Sequence, residues 1–135
     1  MEYPKEVQPV IVSDAMTPDV VTIGPSHTLR EASGVMAARG IGSVVVHDTE
    51  ASGPGILTER DVVRAVASGV DLDAAVAGDY LTADSAYGSP DWSLNEATEA
   101  MKRGGFRHLV VVDGSAVVGI ISMRDIVKAW GNIAT

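Results

Sequence analysis

The chain has no cysteine among its 135 residues, which excludes disulfides, thiolate metal sites and thiol nucleophiles together. Aromatic residues make up only 4% of it, so Val, Ile, Leu, Ala and Met have to fill the interior. No apolar stretch approaches the roughly 20 residues that span a bilayer. Residues 1–12 hold two prolines, one lysine and no apolar run of signal-peptide length. A soluble, cytoplasmic protein without a membrane partner is expected.

Positive charge is also scarce. Ten Lys and Arg stand against 18 Asp and Glu, for a net charge of −8. No Lys or Arg lies between Ala65 and Ala100, where Asp71, Asp73, Asp79, Asp84, Asp91, Glu96 and Glu99 are found. A nucleic-acid binder needs a basic face to displace counterions, so nucleic acid is not the expected partner. His27, His47 and His108 are scattered and lack clustered acids, so no metal site is expected. Neither Ser26 with His27 nor Ser43 with His47 makes a reacting constellation, and the expectation is that the chain is not an enzyme.

What the sequence does hold is an internal repeat, the feature that organises a fold before any other. Asp14-Ala-Met-Thr17 recurs as Asp79-Tyr-Leu-Thr82, Leu29-Arg-Glu-Ala32 as Leu94-Asn-Glu-Ala97, and Met36 as Met101, each 65 positions on. Further along the offset is 64: Gly55-Ile-Leu-Thr58-Glu-Arg-Asp61 matches Gly119-Ile-Ile-Ser122-Met-Arg-Asp125. The lost residue falls between Asp48–Pro54 and Asp113–Val118, where turns are expected.

Both copies read alike. Leu29, Ala32, Val35 and Met36, and again Leu94, Ala97 and Met101, have helical spacing, with Thr28 and Ser93 as N-caps. Val44–Val46 and Leu109–Val112 are short, continuously apolar and β-branched, which marks buried strands. Turns lead from them to second strands at Gly55–Leu57 and Val117–Ile121. A second helix follows, with Val62, Val63 and Val66 at positions matched by Ile126, Val127 and Trp130. The expected organisation is an N-terminal segment 1–9, a first motif 10–70, a linker 71–78 and a second motif 79–131. A unit of about 60 residues buries too little surface to stand alone easily. One module is therefore expected, with its repeats packed through their sheets by pseudo-twofold symmetry and clefts at the seam.

The paired signature is a glycine, two apolar residues, a hydroxyl residue, two variable residues and an aspartate. Together with Met16-Thr-Pro18, Gly40-Ile-Gly-Ser-Val44 and Gly105-Phe-Arg-His-Leu109, it resembles the cystathionine-β-synthase (CBS) motif pair, or Bateman module, over residues 12–130. The resemblance implies an α/β fold of two β-α-β-β-α repeats and a ligand sensor for adenosine nucleotides (AMP, ADP or ATP), with S-adenosylmethionine as another adenosine ligand. It assigns Asp61 and Asp125 to the ribose hydroxyls and Thr58 and Ser122 to ribose or phosphate. Adenine falls to Thr17, Val21 and Ile41 for the Asp125 site and to Thr82, Ala86 and Phe106 for the Asp61 site.

The segment after Thr17 is extended and apolar, whereas its counterpart Ala83-Asp-Ser-Ala-Tyr-Gly88 is polar, so the Asp125 site is expected to be the better formed. Arg107, His108 and Arg124 are the phosphate candidates; Lys102 and Arg103, at a helix end, also serve the helix dipole. A homodimer through the second helices, including Trp130, is expected, and so is a separate regulated protein. The alternative from the residues alone is a structural or protein-interaction module in which Thr58…Asp61 and Ser122…Asp125 act only as helix caps.

Overall fold

The computed structural model describes residues 10–47, 54–82 and 86–134. The N-terminal segment 1–9, most of the first hairpin turn and Asp84 lie outside them. The chain divides into two compact units, Val20–Ser85 and Met1–Asp19 with Ala86–Thr135. This division does not follow the sequence repeat, because each unit takes its leading strip from the neighbouring copy.

In the unit Val20–Ser85, β1 (Thr22–Ile23), α2 (Leu29–Arg39), β2 (Ser43–Val46), β3 (Gly55–Thr58) and α3 (Glu59–Ala67) follow in order, after α1 (Val12–Ala15) of the other unit. The sheet order is β1-β2-β3, parallel then antiparallel. Val44, Val45 and Val46 are all buried, as a strand covered on both faces requires. Leu29, Ala32 and Met36 of α2 close the core on Val44, Val46, Leu57 and Ala65. Thr28 caps α2 by accepting from the Glu31 amide, and Gly40 ends it in the left-handed region at φ 63°, which costs glycine little. Residues 71–78 are built into this unit. The amides of Leu29 and Arg30 donate to Ala75 and Leu72, that of Ala77 donates to His27, and Ala77 is fully buried.

The other unit repeats the plan with β4 (Tyr87–Gly88), α4 (Leu94–Gly104), β5 (His108–Asp113), β6 (Ala116–Ser122) and α5 (Met123–Ala134). Its sheet order is β4-β5-β6. Its core joins Leu94, Ala97, Met101, Leu109, Val111, Ile121 and Ile126 to Val12 of α1. Ser93 caps α4 through the Glu96 amide, and Gly105 ends it at φ 71°. Lys102 and Arg103 stand in that last turn, where the carbonyl end of the helix favours cations.

Gly34 lies exposed within α2, and a Cβ added there would meet nothing within 4 Å. Helix-interior glycine costs entropy without a compensating contact. Gly34→Ala is therefore expected to stabilise the protein by about 0.5–1 kcal/mol, read as a higher urea midpoint at unchanged slope.

Candidate functional site

Each signature spans a strand-to-helix junction. In the first unit β3 ends at Thr58 and α3 starts at Glu59; in the other β6 ends at Ser122 and α5 starts at Met123. A carbonyl from before the central strand holds each helix start: Glu59 N donates to Gly42 O and Met123 N to Arg107 O, both at 2.9 Å. Gly42 and Arg107 are related by the 65-residue offset, so the repeat itself contained this anchor, although no side-chain motif marks it.

The hydroxyl and carboxylate of each signature are joined. Asp61 Oδ2 accepts from Thr58 N at 2.8 Å and Thr58 Oγ1 at 3.0 Å, while Asp61 N donates to Thr58 Oγ1 at 3.3 Å. Asp125 Oδ2 accepts from Ser122 N at 2.8 Å and Ser122 Oγ at 2.9 Å, and Asp125 N donates to Ser122 Oγ at 3.1 Å. These are reciprocal capping boxes. The short Asp forms them at closer range than Glu31 and Glu96, whose bonds to the Thr28 and Ser93 amides are 3.3 and 3.4 Å. In both signatures the second carboxylate oxygen, Oδ1, accepts no hydrogen bond from the described residues. A carboxylate offers about four acceptor positions, so each aspartate, partly exposed, keeps capacity for an outside donor.

The two sites then differ. Thr82 pairs with Ile56 on β3, and its Oγ1 donates to Asp61 Oδ2 at 2.9 Å, a bond that the motif spacing does not announce. Thr17 pairs in the same way with Ile120 on β6, yet its exposed side chain makes no such bond to Asp125. The pairing explains the signature glycines. A Cβ on Gly119 would lie 2.5 Å from Met16 Sδ and 2.9 Å from Thr17 O, and one on Gly55 would lie 3.1 Å from Leu81 Cδ1.

An open pocket of about 360 Å³ adjoins Asp61, lined by Arg64, Ala65, Ser68, Asp79, Tyr80 and Leu81 as well. The α3 positions 61, 64 and 65 and the C-cap Ser68 share one face by helical spacing, a pattern readable in sequence only once the helix is placed.

Charge separates the junctions further. The first turn of α3 carries Glu59 as well as Asp61; that of α5 carries Asp125 as its one acid, with Met123 in the place of Glu59. Around Ser122, Arg107 supplies the carbonyl that anchors Met123, His108 pairs across the sheet with Ser122, and Arg124 follows Met123 on the helix. Arg107 and Arg124 are exposed and form no ion pair among the described residues. Of the adenine candidates, Val21, Ile41, Thr82 and Phe106 are half-buried, as is Ala86, while Thr17 is exposed. Thr17, Ala86 and Phe106 belong to the unit of Asp125, and Val21, Ile41 and Thr82 to that of Asp61.

Among the described residues no group of His, Asp and Glu could hold a metal ion, and no helix is long and apolar enough to cross a membrane.

The CBS domain family matches residues 12–68 and 77–132. A crystal structure of a CBS-domain containing protein from Agrobacterium tumefaciens superposes with a TM-score of 0.79 at 36% identity, covering 90% of this chain and 99% of that one. An uncharacterized 17.7 kDa protein of Acidianus ambivalens is 36% identical over 92% of this chain and 75% of its own length. A CBS domain-containing protein of Bacillus subtilis is 32% identical over 85% and 81%.

Proposed function

The chain belongs to the CBS domain family, as a tandem pair of a regulatory, ligand-binding type, and we propose that it senses an adenosine nucleotide held at the Ser122–Asp125 junction. The observation that carries this reading is the pairing there of a carboxylate oxygen with no donor among the described residues and a helix start next to which Arg107, His108 and Arg124 lie in the chain or the sheet. Two neighbouring hydroxyls, as on a ribose, suit a carboxylate acceptor, and hydrogen bonds to an ionised acceptor are the strong kind. Phosphate suits the exposed guanidinium groups of Arg107 and Arg124. AMP, ADP or ATP supplies both groups, with no catalytic residue required. Thr17, paired beside Ile120, is the contact proposed for the base.

Asp61 and Thr58 form the second, weaker site of the proposal. The pocket beside Asp61 gives it concavity, but Glu59 at the start of α3 repels phosphate and Thr82 already occupies one acceptor position of the carboxylate. Isothermal titration with AMP, ADP, ATP and S-adenosylmethionine tests the reading. At about 100 μM protein, where typical metabolite affinities register, heat with at least one of them is expected. Asp125→Ala is expected to weaken binding about tenfold or more, and Asp61→Ala less; the reverse order overturns the ranking.

The completed capping boxes favour one other reading, a structural or interaction module in which both aspartates serve only as caps. No heat with any adenosine compound would establish it. Under either reading the exposed Val63, Val66, Val127 and Trp130 stand at repeat-matched positions of α3 and α5, and we propose that they form the contact of a homodimer.

A further inference from the structure

Thr82 and Thr17 occupy the same place in the repeat and make the same backbone pairing, with Ile56 and Ile120, but their side chains are used differently. The Thr82 hydroxyl donates to Asp61 Oδ2, the atom that also accepts from Thr58 N and Thr58 Oγ1. Three donors from two separate stretches of chain thus meet on one carboxylate oxygen. Thr58 is 8% exposed and Asp61 and Thr82 are both half-buried, so water competes poorly for the bonds. Charge-assisted bonds shielded from solvent are worth more than exposed ones.

The strip that Thr82 belongs to is tied to β3 at other points as well. Thr82 N donates to Ile56 O at 2.9 Å, and the Leu81 side chain covers Gly55. The strip around Thr17 is bound to β6 by two backbone bonds, Thr17 N to Ile120 O at 2.8 Å and Ile120 N to Thr17 O at 3.1 Å. Met16 packs against that strip's core.

We infer that Asp61, Thr58 and Thr82 form a clasp that fastens the returning strip 77–82 onto β3, and that Asp125 has no such duty. Asp61 is a positioning residue in its own unit, acting through Thr82. One consequence rests on the nucleotide reading: a ribose whose two hydroxyls take Asp61 Oδ2 as well as the open Oδ1 competes with the Thr82 hydroxyl, so such occupancy loosens the strip, whereas the Asp125 carboxylate holds no strip hydroxyl to displace.

The test is a pair of double-mutant cycles on the full chain without nucleotide, read by urea unfolding. Asp61→Asn with Thr82→Val is expected to show a coupling of about tenfold in the folded-to-unfolded ratio, and Asp125→Asn with Thr17→Val less than about twofold. Hydrogen exchange gives a second readout that general destabilisation would not single out. In Thr82→Val the amide of residue 82 is expected to exchange about tenfold faster, and in Thr17→Val that of residue 17 within about twofold of its native rate. Coupling below twofold at Asp61–Thr82, or equal coupling in both cycles, overturns the clasp. Because no ligand is present, that failure leaves the nucleotide reading standing, and an empty titration leaves the clasp standing.

Discussion

Gly119→Ala is expected to destabilise the protein by about 2–3 kcal/mol, at the upper end of what overpacking a well-filled site costs, and Gly55→Ala by less than about half of that. Both glycines open the signature and both lie under a strip paired to the strand edge, so the motif alone predicts equal effects. The neighbours decide otherwise. Over Gly119 a Cβ would stand 2.9 Å from the backbone oxygen of Thr17 and 2.5 Å from Met16 Sδ. The sulfur can swing aside, but the carbonyl is fixed by its own bond from Ile120 N at 3.1 Å. Relief requires the strip 10–19 to lift from β6, which costs that bond and part of the contact of Val12 and Met16 with the core. Over Gly55 the nearest atoms are the terminal methyls of Leu81 at 3.1 and 3.2 Å, which a small rotamer change moves. Urea unfolding measures the difference, and in Gly119→Ala faster exchange at the Thr17 and Ile120 amides locates it. Equal losses at the two glycines, or protected amides in Gly119→Ala, would sink the explanation.

The repeat, the strands at 43–46 and 108–113, the caps Thr28 and Ser93 and both junctions were legible because each is local. Hydrophobic period, cap chemistry and the glycine-to-aspartate spacing are written within a few residues of one another. The makeup of the compact units was not. Self-similarity assigns Met16-Thr17 to the first copy and Leu81-Thr82 to the second, but each strip pairs with the strand of the other copy. Gly-Ile-Ile and Gly-Ile-Leu are near-identical edges, so nothing in either strip records which edge it takes; the connecting chain settles it. The same limit hid the unequal duties of Thr17 and Thr82. A threonine followed by Pro18 and one followed by Ala83 look interchangeable as letters, and the difference is whether one hydroxyl reaches a carboxylate 21 residues away in sequence. Charge at the site was half legible: Arg107, His108 and Arg124 stood out, whereas Glu59 matters only through its place at the start of α3.

Leu57→Ala is expected to lower the urea midpoint reported by tryptophan fluorescence by about 1–2.5 M, although neither tryptophan is in the unit that contains Leu57. Leu57 is fully buried in the core of Val20–Ser85, and truncating such a leucine costs about 2–5 kcal/mol, which at a slope of about 2 kcal/mol per molar gives that shift. Trp92 and Trp130 both belong to the other unit. That unit is discontinuous: residues 20–85 are inserted between its strip 10–19 and the rest of it. With the inserted residues folded, the chain between the strip and the rest of its unit has fewer conformations to lose when the strip docks. With them unfolded, docking Val12 has to close a loop of about 66 residues, an entropy cost of about 4 kcal/mol. The core that Val12, Val10, Ala15 and Met16 complete then loses much of its margin, since a domain of this size holds only about 5–15 kcal/mol in all. Unfolding of one unit therefore draws the other with it, and the tryptophans report a lesion with which they share no core. The decisive comparison is fluorescence against far-ultraviolet circular dichroism on the same samples: coincident, lowered transitions are expected. An early circular-dichroism phase with the fluorescence midpoint unmoved would mean that the two units unfold independently and that the inserted connectivity carries no cooperative weight.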